Sequence, residues 1–324
     1  MVLRAVVLTA AVVVLAAIVY TLGPARIAAL IGASGWTFAW MILLYGVHIA
    51  IRAVVLWRSL PSGTLSLRDV VRIRFAAEAV EMLTFTGPFL AEPAKGWMFV
   101  SRGISVADTA VVIAFEYLIY TLIAADIALA SLGVLVHRNA FSPAVRGPIL
   151  ALMVCLALFT AGVLFAATTG IGLLEPSVRF ARPLLGSRRT AIVAARVRAA
   201  ETPLLALLHG RPWRVVEAMA AEFITHGLLV LEVWLLFRSL GLRAGPAVPW
   251  IVEGGVKFIN AAFFFVPGQI GAAEGVNALI VRALGYAPAV GVALSLMRRA
   301  RAAVVAVIGA IAAPAFKRPD SQLA

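Results

Sequence analysis

Runs of about 20 apolar residues recur along this chain, the length an α-helix needs to cross roughly 30 Å of hydrocarbon at about 1.5 Å per residue. Leu3–Leu22, Trp36–Trp57, Ala110–Val136, Ile149–Thr169, Val215–Phe237 and Ala287–Ala313 each reach it. Of the 324 residues, 63% are apolar and only 13% charged, and the mean hydropathy is +1.01. A soluble domain carries about 25% charged residues and could not bury this much apolar surface. The expected fold is all-α, a polytopic integral membrane protein forming a single transmembrane domain over residues 1–324, with about six spanning helices. Leu3–Leu22 is longer than the apolar part of a signal peptide and no A-x-A site follows it, so it reads as an uncleaved first span. The single cysteine, Cys155, excludes a disulfide scaffold and a cysteine-held metal cluster.

Two stretches, 70–102 and 248–285, are apolar but interrupted by Pro and Gly, and the second piece of each, Glu92–Val100 and Ala272–Leu284, is too short to span. Broken backbone at membrane depth is tolerated only where it is buried in protein or lines a wet cavity. Each stretch is therefore expected to form a re-entrant helical hairpin. The two resemble each other: FTGPFLAEPAKGWMFVSRG from Phe85 and FFVPGQIGAAEGVNALIVRALG from Phe264 both run aromatic, Pro beside Gly, Glu, short apolar helix, Arg, Gly. Three spans lie between them, so they should enter from opposite faces, an inverted repeat of the kind that marks substrate sites in secondary transporters.

The net charge of +13 is accounted for by membrane topology. With both termini cytoplasmic, sixteen Lys and Arg fall inside and only Arg26, Arg138, Arg146, Arg238 and Arg243 outside, as the positive-inside rule requires. Residues 175–214 carry eight Arg against Glu175 and Glu201. Thr190–Leu208 within them reads as a cytoplasmic amphipathic helix lying on anionic headgroups. A segment of that size is no nucleic-acid domain.

Ionisable residues inside spans are costly and are functional candidates by default. Arg298, Arg299 and Arg301 sit near the middle of the last span; Arg298 and Arg301 share a helical face and Arg299 points elsewhere. Their expected partners are Glu116, Glu253, Glu274 or a lipid phosphate; the alternative is a shorter helix whose arginines meet cytoplasmic headgroups. Gly103 to Glu116 and Gly285 to Arg298 are both 13 residues, which suggests that Glu116 and Arg298 pair across the bundle. Gly268 and Gly271 precede a short helix starting near Ala272, whose free amides suit a phosphate or carboxylate unless Glu274 caps them itself. Glu253–Lys257 and Glu92–Lys95 have the spacing of pairs on one helical face. Glu222 and His226 are also four apart, but no motif marks a third ligand, so no metal is expected. No Walker motif and no nucleophile elbow is present, and neither cofactor nor catalytic residues are expected.

Together these residues resemble the flippase-like membrane family that includes the membrane part of lysylphosphatidylglycerol synthase. Pro88…Ala91-Glu92-Pro93-Ala94-Lys95 is similar to that family's Pro-x-x-x-Gly-Glu-x-x-Arg run, with Ala for Gly and Lys for Arg. Phe115-Glu116 resembles its Glu-Arg pair, with Tyr117 in place of the Arg. FFFVPG, PGQIGAAEG and LMRRAR look most like a bacterial branch associated with hopanoid biosynthesis. The resemblance implies lipid binding and movement across the inner membrane of a bacterium. Arg298, Arg299, Arg301, Lys95, Gly268 and Gly271 would hold the headgroup, while Glu274, Glu116, Glu92, Lys257 and Glu253 would tune charge or couple ions. The partners it implies are membrane lipids, an anionic phospholipid or a terpenoid lipid, and lipid-biosynthesis enzymes. Only eleven residues follow the last span, so the synthase's own aminoacyl transfer is not expected. A membrane-embedded transferase on a lipid carrier and a non-transporting assembly partner are the alternatives.

Overall fold

The structure, a computed structural model, describes residues 34–84, 88–138, 142–180, 186–263, 269 and 271–313, with residues 25 and 32. The expected span Leu3–Leu22, the residues after 313 and Gly268 lie outside the described residues. Among the described residues there are eleven helices and no strand: α1 Trp36–Ser59, α2 Leu67–Thr84, α3 Pro88–Val100, α4 Val106–His137, α5 Pro143–Thr169, α6 Leu174–Phe180, α7 Ser187–Gly210, α8 Pro212–Ser239, α9 Ala247–Ala262, α10 Ala272–Ala283 and α11 Pro288–Ala312. Four of them, α1, α4, α5 and α8, are long and apolar enough to cross a membrane. Helix α11 matches them in length, and its three arginines set it apart.

Local sequence explains where the helices start. α5, α8 and α11 open on Pro143, Pro212 and Pro288, where a missing amide donor costs nothing. α4 opens on Ser105, whose Oγ accepts the Asp108 amide at 3.0 Å. One boundary differs from expectation: α3 begins at Pro88 rather than Glu92, and Pro93 lies inside it. That proline removes a single backbone bond near the helix start, which a short helix packed on two neighbours tolerates.

Polarity is arranged inside out. Lys95, Glu116, Glu222, Glu232 and Glu253 are at most 1% exposed, while Leu158, Phe223 and Val154 on the rim are more than half exposed. Helix α5 buries only Ile149. A chain that hides its carboxylates and shows its leucines has a solvent less polar than its own interior, which is the bilayer. The protein is thus an all-α polytopic membrane protein.

Two units, α2–α3–α4 and α9–α10–α11, pack reciprocally. The long helix of each unit lies against the first hairpin helix of the other, α4 on α9 and α11 on α2, and α1 lies on α8. Both crossings depend on a missing side chain. A Cβ on Gly254 of α9 would stand 2.7 Å from the Ile127 carbonyl oxygen of α4 and closer still to Ser131. One on Gly309 of α11 would stand 2.8 Å from the Phe75 carbonyl carbon of α2. The short helices also end alike. Gly103 and Gly285 have φ of 88° and 89°, and the next residues, Ile104 and Tyr286, donate back to Phe99 and Val281 at 3.3 and 3.0 Å. A left-handed residue closing a helix in this way is a Schellman cap, and glycine takes it without steric cost.

Candidate functional site

Charge gathers in two networks, each centred on one buried carboxylate. In the first, Glu116 of α4 accepts from Arg52 of α1 and, at 2.6 Å, from Lys95 of α3. Lys95 also reaches Glu92 at 2.7 Å, and Arg52 Nε reaches Glu222 of α8 at 3.0 Å. Arg74 of α2 lies 3.0 Å from Glu78 and 3.9 Å from Glu116. In the second, Glu232 of α8 accepts from Arg298, at 2.8 Å, and from Arg301, both on α11. Arg298 extends to Glu253 of α9 at 2.6 Å, and Lys257 lies 2.9 Å from the same carboxylate. Arg299, on another face, donates to Glu274 of α10 at 2.7 Å and to the Gln269 carbonyl at 3.2 Å.

Two tyrosines join the networks. Tyr45 of α1 donates to Glu78 at 3.0 Å while the Arg301 guanidinium lies 3.8 Å from its ring. Tyr120 of α4 has Arg52 at 4.3 Å and the Lys257 ammonium at 5.6 Å from its ring. Cation–π contacts gain strength in such desolvated settings. The result is two networks, each spanning at least three helices and joined through Tyr45 and Tyr120, with the Arg299–Glu274 pair between α11 and α10 beside them.

Several expectations are met at the level of single pairs. Glu92–Lys95 and Glu253–Lys257 pair within their helices, and Arg298 and Arg301 share a face. The arginines meet glutamates rather than standing in headgroups. Of the two readings of Gly271, capping is the one seen: its amide donates to Glu274 at 2.7 Å, so that donor is already engaged. The expected pair of Glu116 with Arg298 is not formed. Glu116 pairs with Arg52 of α1 and Lys95 of α3, and Arg298 with Glu232 of α8 and Glu253 of α9. Glu222 and His226 approach to 4.0 Å, but Glu222 serves Arg52 and the Thr225 hydroxyl.

Arg52, Arg74, Glu222, Glu232 and the two tyrosines were not among the expected site residues. The signal for Glu222 and Glu232 was present, since any carboxylate inside a span needs a partner. Tyr45 and Tyr120 carried none, because a tyrosine in an apolar helix is ordinary. A separate cavity of about 390 Å³ lies at the end of α8, lined by Trp234, Arg238 and residues 241–244, away from both networks. On the face that carries α6 and α7, Glu175 pairs with Arg179 at 2.7 Å and with both nitrogens of the Arg198 fork. The Arg198 hydrogen bonds hold the Glu175 carboxyl below the usual carboxylate range.

Fold and site thus define a polytopic helical membrane protein with an ion-paired interior shared by two packed helical hairpins. The sequence matches the family described as the lysylphosphatidylglycerol synthase TM region over residues 1–309, and the chain belongs to that family, which ties it to lipid-related processes. No curated protein and no solved structure matches the chain.

Proposed function

We propose that this protein moves lipid across a bacterial inner membrane, both termini in the cytoplasm, the headgroup travelling along the ion-paired interior while the tails remain in hydrocarbon. The observation that supports this reading is the buried chain of ion pairs between the two hairpins. A headgroup crossing a bilayer must exchange water for polar partners at every depth. Paired charges meet that need at little net charge, and each cation can trade a carboxylate for a phosphate or hydroxyl oxygen. Arg298, Arg299, Arg301 and Lys95 are the exchanging cations, and Glu116, Glu232, Glu253 and Glu274 receive them back.

The completeness of the internal pairing favours a second substrate class. Cations already neutralised by glutamates serve a neutral hydroxylated headgroup as well as an anionic one, in keeping with the resemblance of PGQIGAAEG and LMRRAR to the hopanoid-associated branch. The experiment is lipid exchange in proteoliposomes carrying either fluorescent phosphatidylglycerol or a fluorescent neutral glycolipid. Wild type should expose inner-leaflet label to an external quencher. Arg298→Ala and Lys257→Ala should slow this about tenfold, with Arg58→Ala at the rim as control. Rates equal to protein-free vesicles in wild type would overturn the reading, as would variants indistinguishable from wild type.

A further inference from the structure

Among the described residues of the hairpin helices α2, α3, α9 and α10, one carboxylate has no ion pair. Glu78, Glu92, Glu116, Glu222, Glu232, Glu253 and Glu274 each have a cationic partner within 3.0 Å. The cations of both networks are tied to these carboxylates; Arg74 Nε and Arg301 Nε are buried without a hydrogen bond, yet neither residue forms an ion pair with Glu81. Glu81, in the last turn of α2, is half-buried and makes no ion pair or hydrogen bond among the described residues. It lies 14 residues into α2, about 21 Å along the helix from its start.

The groups around it offer no replacement. On its own helix stand Glu78 and Arg74, already joined to each other. From α1 come Arg52, spent on Glu116 and Glu222, and Tyr45, whose hydroxyl goes to Glu78. From α3 comes Glu92, a like charge held by Lys95; from α4, Tyr117; and from α11, Arg301, seated on the Tyr45 ring and on Glu232. An unpaired carboxylate beside two others in a poorly polar setting is relieved most cheaply by taking a proton. A metal ion would need several oxygens at once; both oxygens of Glu78 are engaged, by Tyr45 and Arg74, and Glu92 Oε2 faces Lys95.

We infer that Glu81 is a proton-binding site, and that its uptake and release of one proton couples lipid movement to the proton gradient. The step is Glu81–COO⁻ plus H⁺ to Glu81–COOH, with the proton drawn from one aqueous phase and returned to the other. The coupling rests on the transport reading; the protonation does not.

Two measurements test it on the full-length protein in proteoliposomes. Infrared difference spectra between alkaline and acid pH should show a protonated-carboxyl band that Glu81→Gln abolishes. A hydrophobic carbodiimide, which attacks protonated carboxyls, should label wild-type Glu81 at least tenfold over Glu116 and Glu253 by mass spectrometry, a readout that needs no variant to fold. A band unchanged in Glu81→Gln, labelling confined to the paired glutamates, or a site that answers to sodium instead of pH would each overturn the proposal. In the transport arm, an acid-outside gradient should accelerate wild type about tenfold and leave Glu81→Gln unaffected. Should wild type move no lipid while the Glu81 band titrates, the transport reading fails and the proton site stands; should lipid move without any Glu81 band, the reverse holds.

Discussion

Glu232→Gln is the sharpest perturbation the structure offers. The carboxylate is fully buried and is shared by Arg298 and Arg301, which approach from one face of α11. Removing its charge leaves Arg298 with Glu253 and leaves Arg301 with little but the Tyr45 ring. Breaking a buried pair by deleting one partner costs about 3–5 kcal/mol, because the remaining charge stays buried. A neutral interhelical hydrogen bond in a membrane is worth only about 0.6 kcal/mol on average, so a loss of the expected size identifies an ionic hub. The comparison is Glu217→Gln, which breaks the rim pair with Arg58; the Arg58 side chain is 45% and the Glu217 side chain 28% exposed, and the expected loss is about 0–1 kcal/mol. Adding Arg301→Met to Glu232→Gln should recover at least half of the loss, since an apolar isostere carries no unpaired charge. Reversible unfolding in mixed micelles measures all three. A Glu232→Gln loss no larger than that of Glu217→Gln would refute the buried-hub argument.

Two further outcomes follow from packing and from pH. Gly309→Ala and Gly254→Ala each drive a methyl into the backbone of a crossing helix and should cost about 1–3 kcal/mol in the same unfolding assay. Gly46→Ala, where an added Cβ meets nothing within 4 Å, should be neutral or slightly stabilising, and equal losses at all three sites would remove the crossing argument. The Glu175 carboxyl is held below its ordinary range, so its contribution is present above the unfolded-state value and disappears as pH falls through the folded-state one. Amide exchange across 174–180 should therefore rise, relative to the base-catalysed intrinsic rate, on acidification to below about pH 4, and Glu175→Gln should show that higher exchange already at neutral pH.

The spans were legible because lipid leaves only length and apolarity to choose: Trp36–Trp57 became Trp36–Ser59, and Ala110–Val136 became Val106–His137. Pairs within one helix were legible too, since i,i+3 and i,i+4 spacing fixes who can touch, as for Glu92–Lys95 and Glu253–Lys257. Pairs between helices were not. Glu232 sits in a span whose sequence says only that it needs a cation; that the cations are Arg298 and Arg301 depends on which faces of α8 and α11 meet. Arg52 looked like a residue near the end of its helix, yet α4 and α8 close over it. The start of α3 was not legible either: the short piece is expected from Glu92, whereas the chain enters the helix at Pro88 and carries Pro93 within it.

The unformed pair between Glu116 and Arg298 carries the last step. Lys95 is seven residues after Pro88, and Glu274 is seven after Pro267. Glu116 and Arg298 stand 13 residues after the capping glycines Gly103 and Gly285. Equivalent positions of the two units thus hold opposite charges. In the first unit a hairpin lysine meets a carboxylate on the long helix; in the second a hairpin glutamate meets Arg299, next to the equivalent position on its long helix. Both hubs are nonetheless carboxylates, Glu116 and Glu232, each neutralised by the cations around it. The backbone repeats while the charge alternates, so the cost of burying so many ions falls within each unit. Among the described residues of the hairpin helices α2, α3, α9 and α10, the Glu81 carboxylate is the one without an ion pair.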